Sequence, residues 1–226
     1  MITSSTLLAL TVSMSLATLT VLILLVICIP TAWWLAHYQG KAKPLWQTLI
    51  TLPLVLPPTV LGFYLLLAFA PNAPLGQLWQ SLTGTNLAFS FSGILLGSLI
   101  YSLPFVMQPL INEFQQVGKT YQQLFETLGV PRWRAFFLLV LPVCRGSLIT
   151  ASTLGFAHTL GEFGLILLIG GNIPGETRVL SVELYNQIML LDYASAHQSA
   201  LLLLGFSAIS LLLLYWLSPK HQILKV

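Results

Sequence analysis

Long apolar runs separated by short polar clusters set the pattern of this chain. Asp, Glu, Lys and Arg are absent from residues 1–40, 44–112 and 193–219. Roughly 20 apolar residues in a helix cross a ~30 Å hydrocarbon core, so each run has room for at least one span. The runs do not alternate: Leu201-Leu202-Leu203-Leu204 and Leu211-Leu212-Leu213-Leu214 lack the two-residue period of a membrane β-barrel. Lipid offers backbone N–H and C=O groups no outside partner, which leaves helices as the solution. The pattern predicts an all-α polytopic bundle, a single domain over 1–226, with five spans at about 7–37, 45–70, 91–112, 146–169 and 196–217. Six helices are the other reading. Pro71-Asn72-Ala73-Pro74 ends the second span, Gly170-Gly171 the fourth and Ser218-Pro219 the fifth. Residues 76–90 read as turn-rich, and a hydrophilic stretch at 113–134 opens the segment 113–142. No internal repeat is visible, which disfavours secondary transporters built from inverted or parallel repeats. The first apolar run lacks the basic residues that precede a cleaved signal, so it is expected to remain as a span.

Charge gives this bundle a direction. Only 7% of the 226 residues are charged, against about a quarter in a soluble domain. With alternating spans, one set of loops holds Lys41, Lys43, Lys119, Arg132, Arg134, Arg145, Lys220 and Lys225, and the other holds only Arg178, which accounts for all 9 basic residues. Lys and Arg accumulate on the cytoplasmic side, so the N-terminus is expected outside and the C-terminus inside. The net charge of +3 rests on too few basic residues to form a groove for nucleic acid. Cys28 and Cys144 fall in or beside spans and read as packing residues, with neither a disulfide framework nor a metal site implied.

Within the hydrophilic segment, 120–129 reads as a short, delimited helix. Thr120 and Gln123 form a capping box, while Gly129 supplies the left-handed end and Pro131 prevents continuation. Tyr121, Leu124, Phe125 and Leu128 make one apolar stripe. The stripe packs on the protein's own spans or on lipid, or it docks into a groove on a partner. The following Arg132-Trp133-Arg134-Ala135-Phe136-Phe137 suits a membrane interface. Here a resemblance becomes specific. Gly129, Leu139, Leu141 and Pro142 match the later part of the signature of ATP-binding-cassette importer permeases: a Gly, nine residues, an aliphatic, any residue, then Leu-Pro. The family's opening Glu-Ala-Ala falls on Gln123, Leu124 and Phe125, so that half departs from it. The resemblance implies a type I importer permease fold in which this segment couples to a separate ATPase. The residues it assigns to coupling are Gln123, Leu124, Phe125, Glu126, Thr127, Leu128, Gly129 and Arg132.

Three further strings carry candidate chemistry. Leu52-Pro53-Leu54-Val55-Leu56-Pro57-Pro58-Thr59 sits inside the second predicted span. Prolines there remove backbone donors; Pro53, Pro57 and Pro58 either kink the span or free carbonyls that line a path beside Thr59. Thr159-Leu160-Gly161-Glu162-Phe163-Gly164 puts an ionisable residue at membrane depth. Glu162 reads as a structural acceptor, hydrogen-bonded or protonated between helices, rather than a substrate ligand. His158, one turn earlier, is a partner for it or simply packed, and Gly161 and Gly164 would admit a neighbouring helix closely. The third string, Gly171-Asn172-Ile173-Pro174-Gly175-Glu176-Thr177-Arg178, reads alone as a turn with a solvated charge. Together the three closely resemble molybdate permeases over about 45–183, and sulfate permeases are similar in the last two.

What the resemblance implies is a multi-pass subunit of a bacterial inner (plasma) membrane that imports molybdate. Its partners would be a second copy of itself, two ATPase subunits, an extracytoplasmic oxyanion-binding protein and the lipid bilayer. Asn172, Pro174, Gly175, Glu176, Thr177 and Arg178 would meet the binding protein. Gly118-Lys119-Thr120 ends like a P-loop, but Glu113 stands where the first Gly belongs and no strand precedes it. ATP–Mg is therefore expected in a partner chain, with no cofactor, catalytic residue or metal ligand here. Sulfate, thiosulfate or tungstate import is the nearest alternative; an ion-coupled secondary transporter, needing no ATPase, is the more distant one.

Overall fold

The computed structural model describes residues 3–128, 134 and 136–217, and within these the side chains other than those of 119–128. Helix α1 spans Ser4–His37, and the Thr3 hydroxyl accepts from the Thr6 N–H at 3.3 Å to cap it. Its buried positions recur every three or four residues: Thr6, Ala9, Ser13, Leu16, Ala17, Thr20, Leu24, Cys28 and Leu35. Small side chains on that stripe let α5 and α7, described below, approach closely.

The proline-rich string breaks the chain more sharply than a kink. Helix α2 (Lys43–Val55) and helix α3 (Pro58–Phe69) meet at 108°. Pro57 forces Leu56 into an extended conformation (φ −71°, ψ 135°), and Pro57 and Pro58 together present two residues without N–H donors. The span expected at 45–70 is thus a cornered pair of helices, disrupted at its prolines. The stretch read as turn-rich also holds a helix, α4 (Pro74–Thr83), opened by Pro74 and closed by Gly84 in the left-handed region at φ 72°. Those two terminal signals were present in the sequence.

Helix α5 (Phe91–Leu128) runs 38 residues, or about 57 Å at ~1.5 Å per residue. It does not stop at 112, as the third span was expected to. The separate helix capped by Thr120 is therefore also corrected: Thr120 lies within α5, with helical residues on both sides. Gly118 permits the continuation, because a Cβ there would stand 2.1 Å from His37 Nε2.

Element α6 (Phe136–Val143) begins as a π-helical turn and meets α7 (Arg145–Gly161) at 66°. Phe136 is wedged against Trp33 of α1, with ring centroids 5.0 Å apart, and against Phe114 of α5 at 6.0 Å. The expected fourth span, 146–169, is broken as well: α7 ends at Gly161, Glu162 is extended, and a short α8 (Gly164–Gly170) follows. Helix α9 (Leu180–Met189) comes next, and α10 (Tyr193–Leu217) closes the bundle. Asp192 caps α10 by accepting from the Ser195 N–H at 3.1 Å; hydrogen bonding from the Ser195 side chain, and then from its N–H, holds the carboxyl below the usual aspartate range.

Two apolar cores result. Toward the His37 end of α1, Leu24, Cys28 and Leu35 pack with Val106, Leu110 and Phe114 of α5 and with Cys144. Both cysteines are buried and unbridged. Toward the Thr3 end, Val12 and Leu16 pack with Phe69, Ile94, Leu165, Ile169 and Val182. Helices α1, α5 (within Phe91–Gly118) and α10 are each long and apolar enough to cross a membrane; counting each bent pair, α2–α3 and α6–α7, as one span gives up to five.

Candidate functional site

The two helix breaks lie side by side. An ideal Cβ on Gly164 would sit 3.6 Å from both Pro58 and Thr59, so the proline corner and the Glu162 break form one locus. Helix α3 packs along α8 there, closest at Gly62, where an added Cβ would approach the Leu165 backbone to 3.2 Å. Pro53 is buried, whereas Thr59 and Gly161 are exposed. Neither Gly161 nor Gly164 serves the close helix approach expected of them. An added Cβ would meet nothing within 4 Å at Gly161 and only ordinary contacts at Gly164. That role belongs to Gly97, tight against Ile169 and Leu165, and to Gly155, tight against Val106.

Glu162 is buried, and its Oε2 accepts from the Ser98 hydroxyl of α5 at 2.9 Å. Oε1 has no hydrogen bond. Its backbone carbonyl, released at the end of α7, accepts from the Ser181 hydroxyl of α9. One turn along α5, Ser102 pairs with His158 Nδ1 at 2.9 Å and with the Thr159 hydroxyl at 2.8 Å. The His158 ring stacks on Phe105 with centroids 3.9 Å apart. His158 is thus a packed histidine with a serine partner, while Glu162 is the interhelical acceptor its setting suggested. Ser98, Ser102 and Ser181 escaped the sequence reading; the spacing of the first two by four in an apolar helix was the available signal.

The 171–178 string folds on itself more than expected. The Ile173 carbonyl accepts from the N–H groups of Thr177 (3.0 Å) and Arg178 (2.9 Å). Thr177 is fully buried: its hydroxyl donates to the Gly170 carbonyl at 2.6 Å and accepts from the Ile173 N–H at 2.9 Å. Asn172 takes the left-handed conformation (φ 62°), and its Oδ1 accepts from Arg178 Nε at 2.6 Å. Arg178 also donates to the buried Glu183 of α9 at 3.3 Å. Thr177 is buried away from the surface expected to meet a partner, while Asn172 and Arg178 are half-buried behind it. Of the expected docking residues, Pro174, Gly175 and Glu176 form the exposed tip.

The brace continues inward. Gln187 donates to Glu183 and to Thr6 of α1, both at 3.1 Å, and accepts from Ser199 of α10 at 2.8 Å. Ser13 of α1 accepts the Leu180 N–H at 2.7 Å, capping α9 from another helix.

Of the expected coupling residues, Gln123, Leu124, Phe125, Glu126, Thr127 and Leu128 form the last turns of α5. Gly129 and Arg132 lie outside the described residues.

A bundle with two broken spans at one locus and a braced loop at one end suits a conduit. Comparison with known proteins decides its kind. Residues 28–222 match the family described as the binding-protein-dependent transport system inner membrane component. This chain belongs to that family. The permease is 46% identical over 207 residues to the molybdenum transport system permease protein ModB of Azotobacter vinelandii, covering 92% of each chain. It is 35% identical over 217 residues to the protein of the same description from Haemophilus influenzae, covering 95% of this chain and 94% of that one. The sulfate transport system permease protein CysT of Escherichia coli K12 is 33% identical over 184 residues, which is 81% of this permease but 65% of the sulfate protein. The fold is that of type I ATP-binding-cassette permeases, and its setting is the inner membrane.

Proposed function

We propose that this chain is the membrane subunit of an ATP-driven molybdate importer. The observation that carries the reading is the 46% identity to a molybdenum transport permease across 92% of both chains. The subunit works as a homodimer on two separate ATPase subunits, which hold ATP–Mg, and it binds no cofactor of its own. The basic residues favour an orientation with the Thr3 end outside and the His37 end in the cytoplasm. An oxyanion-binding protein then docks on the Pro174–Gly175–Glu176 tip, and the Gln123–Leu128 end of α5, with Gly129 and Arg132 beyond it, meets the ATPases.

Pore chemistry follows from what lines the breaks. Prolines lack N–H groups, Thr59 offers a hydroxyl, and Lys41, Lys43 and Arg145 all lie at the ends of helices next to the His37 end. Among the described residues no Lys or Arg lies in the broken segments at 56–59 and 161–164, so a dianion is held weakly there and selectivity rests with the binding protein. Sulfate is the second reading, favoured by the 33% identity to a sulfate permease. Uptake of radiolabelled molybdate by the reconstituted importer, in competition with tungstate and sulfate, tests the assignment. Competition by tungstate but not sulfate is expected; a preference for sulfate would sink the molybdate reading. Uptake without any ATPase subunit would instead point to ion coupling.

A further inference from the structure

Helix α9 touches both the external loop and the helix break, through different side chains. Its Glu183 holds Arg178, and Arg178 holds Asn172, directly behind the exposed Pro174–Glu176 tip. Its Ser181, buried two residues earlier, donates to the Glu162 carbonyl where α7 ends. That carbonyl has lost its place in a helix ladder, since Glu162 is extended. A third tie, from Ser13 to the Leu180 N–H, fastens the same end of α9 to α1.

The polypeptide from Gly164 to Val179 also joins loop and break, but it passes through α8, which is packed against α3 and the Thr3-end core. The shortest route from loop to break is therefore the chain itself, Arg178-Val179-Leu180-Ser181, braced by the Arg178–Glu183 pair and ending on the Ser181 bond to Glu162.

We propose that Ser181 is a positioning residue for transport: its hydroxyl delivers displacement of the external loop to the Glu162 break. The inference rests on the docking reading above. Binding that shifts Asn172 and Arg178 moves Glu183, and α9 follows as a rigid turn. Ser181 then pulls on, or releases, the Glu162 carbonyl just past the end of α7. Ser13, on the opposite contact of α9, anchors the helix without reaching the break.

The test uses the complete importer in proteoliposomes, with binding protein and molybdate added. Two quantities are read: the affinity of the binding protein for the complex, and the ratio of stimulated to basal ATP hydrolysis. Ser181→Ala is expected to leave affinity within about twofold and to lower the ratio about fivefold, the worth of one net hydrogen bond in a coupling equilibrium. Ser181→Thr, which keeps the donor, restores the ratio. Ser13→Ala lowers thermal stability but keeps the ratio, whereas a merely structural role for Ser181 would make the two alanine variants alike. A normal ratio in Ser181→Ala, or equal losses in both, overturns the link. Should Ser181→Ala fail to assemble, Ser181→Cys decides: its weaker donor gives an intermediate ratio if the link holds and a normal one if it does not. Failure of the binding protein to stimulate the unmodified complex would count against the docking reading instead.

Discussion

At the Thr3 end, Arg178 donates to Glu183 and Asn172, and the bonds continue through Gln187 to Thr6 and Ser199. At the helix break, among the described residues, the Glu162 carboxyl receives only the Ser98 hydroxyl, and Oε1 is left without a partner. Both clusters bury a carboxyl that is under 5% exposed. They differ in closure. In a low-dielectric interior a satisfied network rigidifies its surroundings, whereas one left short is costly and ready to exchange partners. The closed network belongs to a surface that must keep its shape for a visitor. The open one sits where two spans are broken next to each other, in a part of the molecule that has to rearrange.

The sharpest way to break this comparison is to open the closed network. Glu183→Leu strands the Arg178 guanidinium, which is only 18% exposed. Breaking a buried pair by removing one partner costs about 3–5 kcal/mol. The detergent-purified permease should melt well below the unmodified chain, with the greatest gain in protease sensitivity at 171–178. A small loss, in the range of exposed ion pairs, would mean that the brace is solvated and the contrast false.

The opposite cluster should respond less. Ser98→Ala removes the single donor to Glu162, leaving a buried acceptor unsatisfied at about 1–3 kcal/mol. Adding Glu162→Leu takes away the orphan itself and should recover most of the loss, because deleting both partners is nearly neutral where deleting one is not. Melting curves of the two single variants and the double variant complete the cycle. A double variant no more stable than Ser98→Ala would show that Glu162 has other partners and that the open network is closed after all.

How much of this was legible in the sequence depends on the kind of signal. Uniform apolarity without charge announced an all-α membrane bundle, and α1 and α10 follow their apolar runs closely. Local punctuation was read less well. At Pro57-Pro58 the sequence allows either a kink or freed carbonyls; two adjacent residues without donors, preceded by a residue steered out of the helical region, leave the helix no way to continue. The opposite error occurred at Thr120. A capping box marks a helix start only where the chain is not already helical, and no breaker between Pro109 and Thr120 stops α5. Ser181 could not have been found from spacing, since its partner Glu162 is brought to it by the turn at 171–178, whereas Glu183 lies only five residues past Arg178 and just beyond the string that drew attention.

The smallest expected effect is the most informative about the open locus. Gly161 ends α7, is exposed, and has nothing within 4 Å of where a Cβ would be. Its φ is not in the left-handed region, so alanine fits both the backbone and the space. Gly161→Ala should change the melting of the isolated permease by no more than about 0.5 kcal/mol. Gly155, six residues earlier on the same helix, makes the control. A Cβ there would press to 2.6 Å from Val106 and 3.4 Å from Val21, and overpacking of this kind costs about 1–3 kcal/mol. The pair therefore separates a helix end with free space around it from a helix middle locked against α1 and α5. Equal destabilisation by the two substitutions would show that the break is as tightly packed as the core, and a locus so packed has no room to exchange the hydrogen bonds of Glu162.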